Sequence, residues 1–295
     1  MTTTHTVDQP TRVLVGYDAS RSAMDAVGVA ARLIPGASAT VVHLWNMPVA
    51  SPGLRQRLAG RAQTVERLIE LLEQEGSAEA ERIAGQGAAL ARAAGWHVDA
   101  LAELNVNEGY QLARLAEQRD MTLVVLGSRG LTGAKAVLGS MSDMVVHVSH
   151  VPVLVVPFPL MTTERADLDA GPILIASDGS SSATLAAERA AQLFPDRERV
   201  VVTVDSNSES EVTVAGDDTV IRLPVRGRPG RARAVAFALG EYASERGAAA
   251  IVVGSRGRSA GRELLVGSVA KAVLHHTHRP VVVVPALRSG LSDDD

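Results

Sequence analysis

The sequence predicts an α/β protein built from two tandem copies of an open, mostly parallel five-stranded sheet with helices on both faces, the second copy being shortened. The first observation is a series of short apolar runs without polar alternation, which is typical of parallel strands buried on both faces. The second is that stretches with helical spacing of apolar residues lie between these runs. The third is that the same segments recur in the same order in both halves of the chain, as in a tandem repeat. Alternating strands and helices of this kind form a parallel sheet with right-handed crossovers.

Four pairs of matching segments define the repeat. Each copy opens on an apolar run that ends in an aspartate and small polar residues. A second apolar run then leads into a Gly-Ser-Arg-Gly loop, and a Gly-Ser pair and a final apolar run follow. The pairs are Val13–Ser20 with Ile173–Ser180, Leu123–Gly130 with Ile251–Gly257, Gly139–Ser140 with Gly267–Ser268, and Val151–Pro157 with Arg279–Pro285.

In the first copy, apolar runs rich in β-branched residues predict the strands, and the segments between them predict the helices. One long helical segment contains Gly76. Because glycine weakens a helix interior, we expect a break there. The strands are expected near 12–17, 39–45, 97–104, 122–126 and 152–156, and the helices near 21–34, 53–94, 108–119 and 134–148.

The second copy lacks most of one helix. The interval from Asp178 to Gly254 is shorter than the interval from Asp18 to Gly127 by about the length of a helix and its loops. Only 206–218 separates strands expected near 199–205 and 219–224, so a loop or a small hairpin through Val212–Ala215 is expected there. The predicted domains are therefore 11–158 and 171–287, joined by a linker at 159–170 that contains a proline and several charges.

The composition narrows the classes of function. Hydrophobic residues make up 46% of the chain and charged residues 21%, which predicts a soluble globular protein with a real core. A net charge of −4 gives no electrostatic reason to expect DNA, RNA or an anionic membrane as partner. The chain has no cysteine, which excludes disulfides, thiolate zinc sites and cysteine nucleophiles. Its apolar runs are far shorter than the roughly 20 residues of a membrane-spanning helix, and its polar start lacks a signal-peptide core, so we expect a cytoplasmic protein.

The glycine loops are the candidate ligand site. In an open parallel sheet, ligands bind at the carboxyl ends of the strands where the strand order reverses. The loops Gly127–Gly130 and Gly254–Gly257 leave such strands, and the pairs Gly139–Ser140 and Gly267–Ser268 follow them. Backbone N–H groups and a hydroxyl near a helix start can cradle phosphates without a lysine. The alternative is that these glycines only make tight strand-to-helix turns.

The spacing in the second copy, Gly254-x2-Gly257-x9-Gly267-Ser268, resembles the phosphate-binding signature of the ATP-binding universal stress proteins. The first copy reads Gly127-x2-Gly130-x8-Gly139-Ser140, one residue short. The resemblance extends from about residue 11 to residue 287 outside the linker and the shortened region. It implies an adenine nucleotide alpha hydrolase-like fold, ATP as ligand with or without magnesium, and a role as a stress-response regulator or sensor.

The resemblance also assigns the remaining site residues. In the family, the aspartate that ends the first strand helps to hold the nucleoside, and the end of the second strand lies over the adenine. The alternative for the aspartates is that they cap the following helix. The resemblance thus implies that the nucleotide-binding residues are Asp178, Val204, Gly254, Gly257, Gly267 and Ser268 in the second copy, and Asp18, Leu44, Gly127, Gly130, Gly139 and Ser140 in the first.

Several questions stay open at the level of sequence. Family members join subunits through their last strands, so the resemblance implies an intrachain pseudo-dimer, with or without a further homodimer. No general base matched to a nucleophile and no carboxylate cluster is evident, so slow ATP hydrolysis is the most catalysis we expect. Three classes remain: a nucleotide-binding regulator, a weak ATPase, and a scaffold without ligand. Histidines near the ends of the fourth helices suit a helix C-terminus better than a metal site.

Overall fold

A computed structural model describes residues 11–48, 51–128, 138–205, 211–215, 218–224, 232–257 and 266–286. These residues form one continuous sheet of eleven strands in the order β3-β2-β1-β4-β5-β11-β10-β6-β7-β9-β8, with helices on both faces. The strands are β1 Arg12–Gly16, β2 Ser38–Trp45, β3 His97–Leu104, β4 Leu123–Gly127, β5 Val153–Val156, β6 Ile173–Ala176, β7 Arg199–Asp205, β8 Glu211–Ala215, β9 Asp218–Pro224, β10 Ala250–Gly254 and β11 Val281–Val284. The helices are α1 Arg21–Leu33, α2 Pro52–Ala59, α3 Val65–Ala93, α4 Glu108–Gln118, α5 Ser140–Val148, α6 Thr162–Asp167, α7 Ser181–Leu193, α8 Ala232–Arg246 and α9 Ser268–His276.

The two copies have the same parallel order. In copy one, β2 pairs with β3 and β1, β1 with β4, and β4 with β5, all in parallel. In copy two, β7 pairs with β9 and β6, β6 with β10, and β10 with β11, again in parallel. The predicted α/β class with two similar units is therefore confirmed.

The middle of copy two is a hairpin. Strand β8 runs antiparallel to β9 along the edge of the sheet, from the pair Glu211 and Arg222 to the pair Ala215 and Asp218. The hairpin was one of the two structures expected from the short 206–218 segment. The expectation of five strands in copy two needs one correction, because β8 adds a sixth that pairs only with β9 among the described strands.

The last strands of the two copies join the halves into one sheet. Strands β5 and β11 pair antiparallel, with Val155 opposite Val281, Leu154 opposite Val282 and Val153 opposite Val283. All six side chains are buried. The expected pairing of the two apolar edges is confirmed, and neither edge is left open for another chain.

Two expectations about helices were wrong. Helix α3 runs without interruption through Gly76. A Cβ at this position would lie 2.5 Å from the Trp45 ring, so the glycine serves close packing and does not break the helix. The break lies earlier, between α2 and α3, where Thr64 caps α3 by accepting the Arg67 N–H at 3.2 Å. The fourth helix was expected from residue 134, but α5 begins at Ser140; residues 134–137 lie outside the described ranges.

The linker is an ordered part of the structure. Its helix α6 carries Arg165, which pairs with Asp25 of copy one at 2.6 Å, and Asp167, which pairs with Arg279 of copy two at 2.6 Å. Leu168, just after α6, is completely buried in the core. The charges that marked this segment as a linker thus connect it to both copies.

Two apolar layers sandwich the sheet. One layer packs beneath α1, α3 and α7 and contains residues of both copies, among them Val13 and Phe194. The other packs beneath α4, α5, α8 and α9. Among the described helices, none combines the length and the apolar character needed to cross a membrane.

Candidate functional site

The candidate sites lie where each copy reverses its strand order. In copy one the chain leaves β1 toward β2 on one side and later returns to β4 on the other. In copy two, β6 and β10 are neighbours in the same way. The crevice at the carboxyl ends of such strand pairs is where open α/β sheets bind ligands. Asp18 and Gly127 lie at this crevice in copy one, and Asp178 and Gly254 lie there in copy two.

The two aspartates are not the helix caps. Ser20 caps α1 by accepting the Ala23 N–H at 3.1 Å, and Ser180 caps α7 by accepting the Ala183 N–H at 3.2 Å. The Oδ1 atom of Asp18 accepts the Ser20 N–H at 2.9 Å, and Asp178 makes the equivalent bond at 3.0 Å. The capping role that was the alternative for the aspartates thus belongs to the serines.

The first glycine of each loop permits a close approach between strand and helix. A Cβ on Gly127 would lie 2.8 Å from the carbonyl oxygen of Ser22, and a Cβ on Gly254 would lie 2.8 Å from that of Ser182. These positions therefore require glycine for packing, whatever they bind. Gly257 differs, because a Cβ there would lie 2.9 Å from Asp178 Oδ2, so this glycine brings the loop against the aspartate.

The same hydrogen bonds hold both loops. The Gly139 N–H donates to the Ser128 carbonyl at 2.7 Å, and the Gly267 N–H donates to the Ser255 carbonyl at 2.5 Å. Gly139 and Gly267 are the N-caps of α5 and α9, and a glycine has no side chain to accept the first-turn N–H groups. First-turn N–H groups at a helix start are the elements of an anion site.

The missing residue of copy one does not displace Gly139, the third glycine of its signature. Gly139 adopts φ −71° and ψ 153°, and Gly267 adopts φ −71° and ψ 158°. Both bond to the serine that follows the strand. The loop before Gly139 is one residue shorter in sequence than the loop before Gly267, and Gly139 nevertheless keeps an equivalent bond and equivalent backbone angles. Gly130 belongs to that loop and lies outside the described residues.

The six residues predicted in copy two line one cavity of about 250 Å³. Apolar side chains that the sequence argument did not single out form much of its wall, including Val235 and Leu239 of α8 and Val202 of β7. Arg256, inside the Gly-Ser-Arg-Gly loop, also lines the cavity. Because Arg256 lies between two glycines of the predicted site, the sequence could have identified it as a site residue. The residues of α8 could not be identified in this way, because only tertiary packing brings that helix to the cavity.

The side of each site next to the second strand of its copy is built differently in the two copies. In copy one, Tyr17 follows β1 and is buried against α3, where a Cβ on Gly87 would lie 2.7 Å from its ring. Burial, and secondarily the neighbouring Asp18 charge, raises the pKa of Tyr17. Copy two has Ser177 at the equivalent place, lining the cavity. Leu44 of copy one is half-buried against the α4–α5 side of the core, whereas its counterpart Val204 borders the copy-two cavity.

The sequence profile of the universal stress protein family matches residues 10–157 and 224–285. The chain belongs to this family. A universal stress protein from Archaeoglobus fulgidus has a similar fold, with 19% identity, a TM-score of 0.63, and coverage of 94% of this chain and 99% of that one. A putative universal stress protein from Pseudomonas aeruginosa matches with 11% identity and a TM-score of 0.54, covering 94% of each chain. A search of curated proteins finds no significant match.

Proposed function

We propose that this universal stress protein binds an adenine nucleotide, ATP foremost, in the copy-two cavity and acts as a stress-response regulator or sensor in the cytoplasm. The observation that carries the proposal is the convergence of Asp178, Val204 and the glycine loop on one cavity. These residues come from three separate stretches of the sequence, and the family resemblance assigns all of them to one nucleotide. The ligand is thus proposed from both the motif and its spatial assembly.

The lining chemistry suits the parts of a nucleotide. Val202, Val204 and Leu239 supply an apolar wall for a flat base. The Asp178 carboxylate is an acceptor for the hydroxyls of a ribose. The volume of about 250 Å³ is near the lower end of small-molecule pockets, roughly 300 Å³. We place the phosphates at the side of the cavity formed by the Gly254–Gly257 loop and by Gly267 at the start of α9. That loop brings glycine backbone and the start of a helix to the phosphates.

Binding is favoured over turnover. Of the described residues around the cavity, Asp178 is the one carboxylate, and Ser268 offers a hydroxyl. A magnesium ion accompanying ATP would therefore be held mainly by phosphate oxygens and water. Among the described residues no group of three or more His, Cys, Asp or Glu is placed to hold a metal. Any ATP hydrolysis is accordingly expected to be slow.

The experiment is to denature the purified full-length protein and to identify the released small molecules by mass spectrometry. We expect an adenine nucleotide, and we expect Asp178→Asn to release less of it. Asp196→Asn, which changes an exposed aspartate outside the cavity lining, is the matched control and should release as much as the unmodified protein. If no nucleotide is released and calorimetry detects no ATP binding, the ligand-free scaffold is the correct alternative. ADP production lost in the Asp178 variant would instead identify a weak ATPase.

A further inference from the structure

Arg256 brings a full positive charge to the copy-two cavity. It is the third residue of the Gly254–Gly257 loop, and its backbone N–H donates to the Ser182 hydroxyl at 3.4 Å, which holds the loop against the first turn of α7. Of the described residues that line the cavity, Arg256 and Asp178 are the charged ones. The site therefore combines one anion and one cation of its own.

The guanidinium of Arg256 is not committed to a protein acceptor within the described part of the chain. Its Nε atom is buried without a hydrogen-bond partner, and the residue as a whole is half-buried. Arg279 also has a buried Nε atom without a partner, but its Nη1 atom pairs with Asp167 at 2.6 Å, whereas Arg256 has no such ion pair among the described residues. A partly desolvated guanidinium without an acceptor is unfavourable, and an anion that enters the cavity would relieve that cost.

The negative charge of a phosphate chain is stabilised by a nearby cation such as Arg256. The start of α9 offers about half an elementary charge, and the loop N–H groups offer dipoles. Asp178 in the same cavity repels an anion. A guanidinium carries a full charge and a fork of N–H donors that matches phosphate oxygens. The backbone can therefore position phosphates, while a side chain is needed to neutralise them.

We propose that Arg256 binds the phosphate chain of the ligand and makes the copy-two site prefer nucleoside polyphosphates to nucleosides. This inference rests on the proposed function, since it concerns the same cavity. It assigns affinity for the phosphates to one side chain, in addition to the glycine backbone of the loop.

The test is calorimetric titration of the full-length chain with ATP, adenosine and pyrophosphate. Arg256→Gln should weaken ATP binding by about tenfold or more, as expected for a lost charge-assisted hydrogen bond, and should leave adenosine affinity unchanged. Arg256→Lys should recover part of the ATP affinity, because it restores the charge without the fork. Arg189→Gln on the exposed side of α7 makes the same change in net charge and should have no effect. ATP binding to the unmodified protein should also weaken more steeply with salt than binding to Arg256→Gln.

The outcomes separate the two proposals. ATP affinity of Arg256→Gln within about twofold of the unmodified protein would overturn the role of Arg256. So would equal weakening of ATP and adenosine, because this would indicate general damage to the loop. Pyrophosphate binding that requires Arg256, with no preference for ATP over pyrophosphate, would support Arg256 and contradict the proposed nucleotide function. If the glutamine variant has a lowered melting temperature, the lysine variant decides the matter. ATP affinity above that of the glutamine variant, at unchanged adenosine affinity, supports the role of Arg256, and ATP affinity as low as that of the glutamine variant contradicts it.

Discussion

Copies one and two hold their glycine loops with the same hydrogen bonds and enclose the region beside them with different elements. The loop serine and the N-cap glycine of the following helix have matching bonds and backbone angles in the two copies. Beyond the second strand, copy one has the 29-residue helix α3, and copy two has the hairpin of β8 and β9. The proposed phosphate end of the site therefore depends on a local strand-turn-helix unit, whereas the proposed base end depends on the element that covers the second strand.

This contrast changes the reason for expecting the two sites to differ in ATP affinity. Glycine spacing alone favours copy two, but Gly139 takes the same local position as Gly267 despite the missing residue. A difference in affinity should then arise in the loop before the glycine and in the walls around the base. Tyr17 packed under α3 and Ser177 beside an open cavity are the clearest such difference.

The largest expected effect is a loss of stability that tests whether the two copies unfold together or independently. Phe194 of copy two is 1% exposed and belongs to an apolar layer that contains residues of both copies. Phe194→Ala should lower the free energy of unfolding by about 3–5 kcal/mol. Both tryptophans, Trp45 and Trp96, lie in copy one. Because the layer is shared, their fluorescence should report the same loss in urea unfolding as far-ultraviolet circular dichroism.

Phe237→Ala is the matched control, since this phenylalanine of the same copy is 45% exposed. Its substitution should lower the free energy of unfolding by less than about 1 kcal/mol. If Phe194→Ala shifts the dichroism transition and leaves the tryptophan transition in place, the copies unfold independently. The continuous sheet would then not act as one cooperative unit.

The next effect tests the ranking of the sites. Gly267→Val should lower ATP affinity by about tenfold or more, because a branched side chain blocks approach of the phosphates to the loop backbone. Gly139→Val should have a smaller effect. Calorimetric titration of both variants decides the ranking, with melting temperatures measured in parallel because a Cβ on Gly267 lies 3.3 Å from the Ser255 carbonyl. A larger loss from Gly139→Val would mean that the lost middle helix matters more than the spacing.

Sequence patterns predicted the structural features that are determined by residues close together in the chain. Buried parallel strands produce apolar runs, so strands such as β4 and β7 were predicted close to their observed ends. The hairpin followed from the short segment available to it. Patterns failed where distant residues decide the structure. Gly76 was expected to interrupt a helix, but Trp45 of another element explains the glycine. The wall supplied by Leu239 also depends on how α8 packs against the sheet.

A smaller effect is expected in the turn between the first strand and the first helix of each copy. Ala19 has φ 60° and the equivalent Gly179 has φ 73°, so only copy two has the residue suited to this left-handed conformation. Gly179→Ala should lower the free energy of unfolding by about 1 kcal/mol, because alanine is strained in the left-handed conformation. Ala19→Gly should change stability by less, because relief of strain is offset by the greater freedom of glycine in the unfolded chain. Urea denaturation of both variants measures the two changes in the free energy of unfolding. Equal losses of stability in the two variants would contradict this account.

The smallest effect is a pH dependence located in copy two. Burial lowers the pKa of His275 below its ordinary 6.5, and the Lys271 charge one turn earlier lowers it further, while Asp143 opposes the shift. The unfolded chain then binds the proton more readily than the folded chain, so this contribution to stability is present above about pH 6.5 and is lost as the pH falls below it. His275→Gln should therefore lose less stability than the unmodified protein between about pH 7 and pH 5. In an NMR titration, Lys271→Gln should raise the pKa of His275 only partly toward 6.5, because burial is the larger cause. A pKa of His275 at or above 6.5 in the unmodified protein would contradict the prediction.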